Sequence, residues 1–257
     1  MMKKENSKYP KVHPAMVAVW AALVSICGFL PTFPVIGGGN FSISYVIAPL
    51  AGIFFGPWTG ALAVAIGELI ASFITPHVAN LGIFTFVGNT LNTFAAGYIC
   101  RKNWKVGAGI IGLLTIVWFL MPGGRAGWVY GAVVYPLGLI MCPIGGILGT
   151  RLLNSEGIKR FIGMFLIAWP SFIAGSTINN IVTLLIVDIP PELWNTYLVW
   201  VTPMERTIFS VGTAIIGIPL LVGLPKISVY VGPQYDNIEA SNDLDRQMEE
   251  EAAKKRK

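Results

Sequence analysis

The stretch IAPLAGIFFGPWTGALAVAIGELIAS, residues 47–72, decides the fold, because Glu68 is the single charged residue in its 26 positions. Apolar segments of about 17 to 25 residues are long enough to cross the roughly 30 Å hydrocarbon core of a bilayer as helices. The whole chain is 54% hydrophobic and 12% charged, about half the charged fraction of an ordinary soluble domain. The sequence therefore predicts an integral membrane protein.

Apolar segments follow one another along most of the chain. They cover residues 14–36, 43–56, 59–75, 81–100, 105–121, 126–150, 161–187 and 204–224. We predict an all-α integral membrane protein, a bundle of about six to eight transmembrane helices, because the second and third segments form either two spans or one re-entrant hairpin. The domain boundaries that follow are a cytosolic lead at 1–13, a membrane domain at 14–224 and a charged, solvated cytosolic tail at 225–257.

The basic residues orient this bundle, because Lys and Arg collect on the cytoplasmic side of membrane proteins. With the N-terminus inside, 16 of the 18 basic residues fall on inner segments, and only Arg125 and Arg206 fall outside. Both termini are therefore predicted to be cytoplasmic. The net charge of +5 fits inner loops beside anionic lipid. Nucleic-acid binding is not expected, because the basic residues flank spans instead of forming a patch among aromatic residues.

Several chemical motifs are absent from the sequence. Neither GxxxxGK[ST] nor GxGxxG occurs, so the chain shows no sign of binding nucleotide by itself. The histidines, His13 and His77, are far apart and have no cysteine or carboxylate at ligand spacing, which argues against a transition-metal site. No nucleophile and base can be paired. We expect no enzyme activity, no cofactor and no metal.

Polar residues instead mark one face on each of three predicted spans. A carboxylate in hydrocarbon costs about 2.5 to 3.5 kcal/mol on insertion scales, so Glu68 is expected to face a cavity, a polar partner or a transport path. At a rise of 1.5 Å per residue, Glu68, Asn89 and Asn180 each lie roughly 10 to 12 Å below the predicted outer end of their span. This shared depth predicts an outer-half binding pocket. Its predicted substrate-binding residues are Glu68, Ser72, Thr85, Asn89, Asn92, Ser176, Asn179 and Asn180.

Structural roles compete with this interpretation. Asparagines in a membrane also bridge helices, and Glu68 can be a buried packing residue. Hydroxyl side chains readily donate to carbonyls of their own helix, which is the expected fate of Ser72, Thr85, Ser176 and Thr177. Aromatic residues near the predicted outer ends are expected to be interfacial anchors. They are Trp128, Tyr130, Trp194, Tyr197 and Trp200.

Small residues mark two further features. Gly52, Gly56 and Gly60 are spaced for close helix approach, as are Ala18 and Ala22 on the first span, where internal packing and partner docking are both open. The outer loop FPVIGGGNFSIS, residues 33–44, can cover a cavity mouth or form a simple turn, since three consecutive glycines permit unusual backbone conformations. Its candidate lid residues are Gly37, Gly38, Gly39, Asn40, Phe41 and the neighbouring Tyr45.

These residues together resemble a known family. The first helix with AxxxA, the glycine-run loop, the stretch FSISYVIAPLAGIFFGPWTGALAVAIGELIASF and the later PMERTIFSVGTAIIGIPLL are similar to the substrate-binding S component of an energy-coupling factor (ECF) transporter. The resemblance covers roughly residues 15–100 and 160–224. Members usually have six helices, so two helices between 104 and 150 look additional.

The resemblance implies a multi-pass cell-membrane protein that captures a vitamin or similar micronutrient. It implies a membrane scaffold subunit and two cytosolic ATPase subunits as partners, whose work releases substrate inside. By the same resemblance, Ala18 and Ala22 face the scaffold, and residues 33–44 are the lid. Two other functions stay open from the residues alone. They are an autonomous proton-coupled secondary transporter using Glu68, and a membrane scaffold protein without a ligand.

Overall fold

Helices account for most of the residues that the computed structural model describes, which are 14–28, 30, 33–34, 40–74, 81–227, 229–234 and 236. In chain order the helices are α1 (Pro14–Cys27), α2 (Ser44–Phe55), α3 (Pro57–Ile74), α4 (Thr85–Cys100), α5 (Trp104–Leu120), α6 (Pro122–Ala126), α7 (Trp128–Ile144), α8 (Thr150–Leu153), α9 (Ile158–Ile186) and α10 (Val199–Gly223). The predicted lead at 1–13 lies outside the described residues.

Short irregular elements complete the chain. π-helical segments Gly145–Gly149 and Leu193–Leu198 join α7 to α8 and precede α10, while 3₁₀ turns Gly82–Phe84 and Leu224–Ile227 precede α4 and follow α10. Two-residue strands β1 (Phe33–Pro34) and β2 (Asn40–Phe41) pair antiparallel, with Phe33 opposite Phe41 and Pro34 opposite Asn40.

Every predicted apolar segment coincides with a helix, which confirms the all-α membrane fold. Among the described residues, four continuous helical stretches are long and apolar enough to span a membrane. They are Pro57–Ile74, Trp128–Leu153, Ile158–Ile186 and Leu193–Ile227. The shorter apolar helices are Pro14–Cys27, Ser44–Phe55 and Trp104–Leu120. This is a multi-pass membrane bundle.

Two predicted boundaries are wrong. The first span was predicted to run to residue 36, but α1 ends at Cys27. The last span was predicted to begin at residue 204, but the helix that contains it begins at Leu193, because the π-helical segment continues directly into α10. Interior prolines at 203 and 219 do not end α10, as is common in membrane helices where neighbours satisfy the freed backbone groups.

Helix α2 is an interior helix. Its 12 residues extend about 18 Å, less than the thickness of the hydrocarbon core, and every residue from Ile47 to Phe55 is buried. Only Gly56, with φ of 88°, separates it from α3. A positive φ at this turn favours glycine over all other residues. Segments 43–56 and 59–75 thus form a helical hairpin whose first arm lies inside the bundle.

Close packing around α2 depends on glycine. Gly52 lies against the backbone of Thr93 and Gly97 on α4, and Gly60 of α3 lies against the backbone of Ala51. A Cβ atom at either glycine would collide with these backbones. The predicted close approach is therefore confirmed at both positions. It fixes α2, α3 and α4 as one unit.

Helix α9 is the central helix, and 72% of its most apolar stretch is buried. It contacts α4, α10, α7 and α5. Because its polar residues are mostly turned inward, the bundle can hold hydrogen-bonding groups away from lipid.

The aromatic residues divide into two groups. Trp128 and Trp200 are 60% and 70% exposed, as expected of interfacial anchors. The anchor prediction is wrong for Tyr130 and Trp194, which are buried and stack edge-on with ring centroids 5.0 Å apart. Both also pack on the fully buried Trp118 of α5. Since edge-to-face aromatic contacts stabilise buried rings, these residues are core instead of anchors.

The described part of the predicted tail packs on the bundle. Val231 is 2% exposed, and the Gly232 amide donates to the Phe54 carbonyl over 3.0 Å. Arg101, at the end of α4, forms a bidentate ion pair with Asp236 at 2.8 and 3.1 Å. Val231, Gly232 and Asp236 therefore contact the bundle, while Ile227 and Tyr230 are exposed, and residues 237–257 lie outside the described residues.

Candidate binding cavity

A polar cavity of about 160 Å³ lies among α2, α4, α9 and α10 in the described part of the chain. Six of the eight predicted substrate-binding residues line it, and α4 and α9 supply most of its wall. The lining residues are Tyr45, Leu81, Thr85, Gly88, Asn89, Asn92, Phe172, Gly175, Ser176, Asn179, Asn180, Thr183 and Arg206.

Two glycines bring α4 and α9 together at this cavity. Gly88 of α4 lies directly against the Asn179 amide group, and Gly175 of α9 lies against the Gly88 carbonyl and the Asn92 side chain. A Cβ atom at either glycine would meet these groups within 3.0 Å. Because the two backbones approach closely here, the side chains of Asn92 and Asn179 each lie against the opposite helix and form part of the cavity wall.

Asn92 is the most unusual of these asparagines. Its side chain is 1% exposed, yet neither its amide nitrogen nor its carbonyl oxygen has a hydrogen-bond partner among the described residues. A buried amide without a partner costs about 1–3 kcal/mol by protein mutational data. The wall therefore presents one unsatisfied donor group and one unsatisfied acceptor from Asn92.

Asn179 and Asn180 are each tied to tyrosines. The Asn179 amide donates to the Tyr45 hydroxyl over 3.4 Å, while its carbonyl oxygen is buried without a partner among the described residues. The Asn180 amide donates to the hydroxyls of Tyr130 and Tyr135 of α7 over 2.8 and 3.4 Å. Neighbouring helices thus fix the orientation of both amides.

Glu68 and Ser72 are placed outside the cavity lining. Glu68 is 5% exposed, and its carboxylate accepts a 2.7 Å hydrogen bond from the amide of Asn89, which does line the cavity. The Ser44 side chain also contacts this carboxyl group. Helix α3 turns its polar face toward α4, so Glu68 orients Asn89 from behind and does not border the cavity.

The four hydroxyl residues behave as the alternative interpretation predicted. Ser72, Ser176 and Thr177 donate to the carbonyl four residues earlier over 2.7–2.8 Å. Thr85 donates to the Gly82 carbonyl over 2.9 Å and accepts from the Leu81 amide over 3.0 Å. These hydroxyl hydrogens are therefore already used within the protein. Thr85 and Ser176 still contribute surface to the cavity.

Arg206 is a cavity residue that the sequence analysis assigned no role. It lies on α10, is 8% exposed, and its guanidinium carbon lies 5.5 Å from the centre of the Phe209 ring. The Glu205 carboxylate is 3.9 Å from its guanidinium group. One feature of the sequence pointed to Arg206, because it is one of the two basic residues that fall on outer segments when both termini are cytoplasmic. The predicted last span began at residue 204, so Arg206 was expected at the end of the span and not inside the membrane.

The predicted lid is only partly described. Gly37, Gly38 and Gly39 lie outside the described residues, and Asn40 and Phe41 are described by their backbone pairing alone. Tyr45 lines the cavity, and its ring packs at 6.0 Å from that of Phe209.

The predicted partner face is exposed. Ala18 and Ala22 both point away from the bundle, while Trp20 and Val24 form the inward face of α1. The two alanines therefore do not serve internal packing.

The described residues contain no group of three or more histidine, cysteine or acidic side chains that could hold a metal ion. The cavity instead offers amides, hydroxyls and one guanidinium. These groups are hydrogen-bond donors and acceptors of the kind that fix the orientation of polar organic ligands in small-molecule sites.

Comparison with known proteins agrees with this architecture. The model of the family described as ECF-type riboflavin transporter, S component, matches residues 12–144. This range contains α5, α6 and α7, so most of the segment that we interpreted as additional lies within the family match, whereas α9 and α10 lie beyond it.

Two relatives share significant sequence similarity with the chain. An uncharacterised protein of Methanocaldococcus jannaschii, MJ0923, is 26% identical over 168 residues, which are 64% of this chain and 56% of that protein. The biotin transporter BioY of Rhodobacter capsulatus is 30% identical over 146 residues, 56% of this chain and 72% of BioY. This chain thus spans little more than half the length of the first relative.

No solved structure is significantly similar to the chain. The family match nevertheless covers more than half of its residues, and the similarity to BioY covers more than two thirds of that transporter. The chain belongs to the family of ECF-type riboflavin transporter S components.

Proposed function

We propose that this membrane transporter subunit captures a small vitamin-like molecule in the cavity between α4 and α9 and hands it to an ATPase-driven ECF importer. The observation that carries the proposal is the Asn92 amide, which is 1% exposed and lacks a partner among the described residues while lining the cavity. Bound cargo supplies the missing hydrogen bonds and so recovers the cost of burying that group.

The surrounding wall supports recognition of a polar ring edge. The buried carbonyl oxygen of Asn179 adds an acceptor, and the orientation of Asn89 by Glu68 adds a rigid amide. Groups fixed before binding lose little conformational entropy when the ligand arrives, which favours high affinity. In this proposal Glu68 is a positioning residue, because its hydrogen bond to Asn89 holds an amide that borders the cargo.

The size of the cavity sets a condition on capture. Its volume of about 160 Å³ is below the roughly 300–1,000 Å³ of most small-molecule sites. Binding a vitamin therefore requires the walls to move apart, and the 33–44 loop is the proposed lid over the enlarged site. The charge rule puts Arg101, at the far end of α4, on the cytoplasmic face, so the cavity opens toward the exterior.

The energy for release comes from partners in this proposal. A membrane scaffold subunit docks on the exposed side of α1 at Ala18 and Ala22, where small side chains allow close helix approach. Two cytosolic ATPase subunits complete the importer, because this sequence lacks a phosphate-binding loop.

Riboflavin and biotin are the first cargo candidates, since the family description and one relative name them. Each carries a ring N–H beside a carbonyl group, which matches the unsatisfied donor and acceptor of Asn92.

Native mass spectrometry of gently extracted full-length protein tests the capture function. We expect wild type to retain one small molecule per chain, or to bind added riboflavin or biotin, and Asn92→Leu to retain none. Thr90→Ala is the matched control on the same helix, because the Thr90 hydroxyl donates to the Phe86 carbonyl and Thr90 does not line the cavity. Wild-type protein that binds no small molecule would rule the function out.

Uptake by cells tests the energy source. We expect uptake to disappear when the ATPase subunits are deleted and to persist with a protonophore. Uptake without ATPases that a protonophore abolishes would instead establish a proton-coupled transporter.

A further inference from the structure

Arg206 gives the cavity a positive charge. Of the described residues that line the cavity, it is the one with a formal charge, and its side chain is 8% exposed. Glu68, which the sequence analysis placed in the pocket, lies outside the lining behind Asn89. The cavity wall therefore combines a guanidinium group with neutral amides and hydroxyls.

A buried guanidinium within a membrane span is costly and usually marks a substrate path or a binding site. The Glu205 carboxylate forms an ion pair with Arg206 at 3.9 Å, and Glu205 does not line the cavity, whereas Arg206 does. The Phe209 ring holds the guanidinium from one side. Planar guanidinium groups bind carboxylates and phosphates through paired hydrogen bonds.

We infer that the cargo is an organic anion whose carboxylate or phosphate group lies against Arg206. This inference rests on the proposed capture function and specifies its substrate class.

Among the described residues, both neutral amides and one guanidinium group line the cavity. Asn92 and Asn179, on α4 and α9, present unsatisfied amide atoms for a neutral polar edge. Arg206 approaches from α10, a helix that packs on α9 and α2. The cargo therefore carries an acidic group at one end and a hydrogen-bonding edge at the other.

Two matched ligand pairs test the charge of the cargo. Biotin is compared with its uncharged methyl ester, and riboflavin 5′-phosphate is compared with riboflavin, by calorimetric titration of the full-length protein in nanodiscs. We expect the anionic member of at least one pair to bind at least about 10-fold more tightly, as for hydrogen bonds to charged groups. Preference in the first pair identifies a carboxylate, and preference in the second identifies a phosphate.

Variants link that preference to one side chain. Arg206→Gln is expected to weaken binding of the anion by about 10- to 100-fold and leave the neutral member unchanged, while Arg206→Lys retains part of the preference. Arg125→Gln removes the same charge from an exposed site and should have no effect. Circular dichroism and thermal unfolding of each ligand-free variant establish that it is folded.

The outcomes separate the two proposals. Tighter or equal binding of the neutral members, or unchanged anion affinity in folded Arg206→Gln, overturns the anionic assignment and leaves the capture function standing. Absence of binding by all four probes, together with no retained molecule in the wild-type protein, overturns both.

Discussion

Replacing Asn92 by leucine should make the empty protein more stable while destroying its ability to hold cargo. Leucine has the same number of side-chain heavy atoms and the same branching as asparagine, and the adjoining cavity leaves space for its larger methyl groups. In the ligand-free protein both polar atoms of Asn92 are buried and lack partners among the described residues. Their removal therefore breaks no hydrogen bond of the described structure.

The expected gain follows from the cost of a buried unsatisfied amide. Protein mutational data put that cost at about 1–3 kcal/mol. Each kcal/mol shifts the unfolding temperature of a protein of this size by about 2–4 °C, so ligand-free Asn92→Leu should unfold about 2–12 °C above wild type. Saturating cargo should reverse the order, since binding at 1,000 times Kd adds about 4.1 kcal/mol to wild type alone.

The assay is thermal unfolding of purified protein with and without cargo, and Asn89→Leu is its control. Asn89 lies three residues earlier on the same helix, but its amide donates to the Glu68 carboxylate at 2.7 Å. Leucine at 89 leaves that carboxylate without the donor and should lower stability by about 1–3 kcal/mol. If Asn92→Leu destabilises the ligand-free protein as Asn89→Leu does, or still binds cargo, then the Asn92 amide is not the group that hydrogen-bonds the ligand.

Two further substitutions test the cavity wall and the packed tail. Gly88→Ala should displace the Asn179 amide, which occupies the position of the new Cβ, and abolish cargo binding in titrations. The control Gly109→Ala, which has open space around the new Cβ, should leave the affinity unchanged. Equal cargo affinities of Gly88→Ala and wild type would refute the role of this contact. Arg101→Met should destabilise the fold by about 1–3 kcal/mol at pH 7. Burial raises the pKa of Asp236, and Arg101 opposes that rise. Folding therefore disfavours the ionised form of Asp236, and the resulting loss of folding stability grows as pH increases through the folded-state pKa. The variant's deficit should therefore shrink as pH falls toward the ordinary aspartate pKa of roughly 3.9, and a deficit in thermal unfolding that does not change with pH would contradict this role of the ion pair.

Membrane burial explains why most of the fold was readable from the sequence. A span must be apolar over a fixed length and must satisfy its own backbone groups as a helix, so each apolar segment has one stable form. Helix ends are less constrained, because a π-helical turn can continue a helix through polar residues. That is why Leu193–Leu198 was missed as the start of the last helix.

Helical spacing also explains which site residues were found. Asn89 and Asn92 are three residues apart on α4, so they share a face, and the same holds for the neighbouring pair Asn179 and Asn180 with Ser176. These faces meet in the cavity. The sequence could not state what a face would meet, however. The Glu68 face meets α4 and a hydrogen-bond donor, so the carboxylate is satisfied within the protein.

Arg206 shows the opposite limit. A single basic residue near a predicted span end fits a loop as well as a helix, and only the longer α10 places it inside the bundle. Its guanidinium lies near Phe209 of the same helix, but helices α9 and α2, which pack on α10, make that face the inward one. The sequence therefore left the surroundings of both Glu68 and Arg206 open for one reason. The direction of a side chain is decided by the neighbouring helix.

Helix α7 extends the site beyond the residues that border the cavity. Tyr130 and Tyr135 accept the amide hydrogens of Asn180, and Tyr130 also donates to Thr202 of α10 over 3.3 Å. The two tyrosines are buried and pack on Trp118, so their hydroxyls are fixed by an aromatic core and not by the ligand. A shift of α7 would therefore change the direction of the Asn180 side chain without any substitution in α9. This connection links the α5–α7 region, which was predicted to be an addition, to the orientation of Asn180 in the cavity wall.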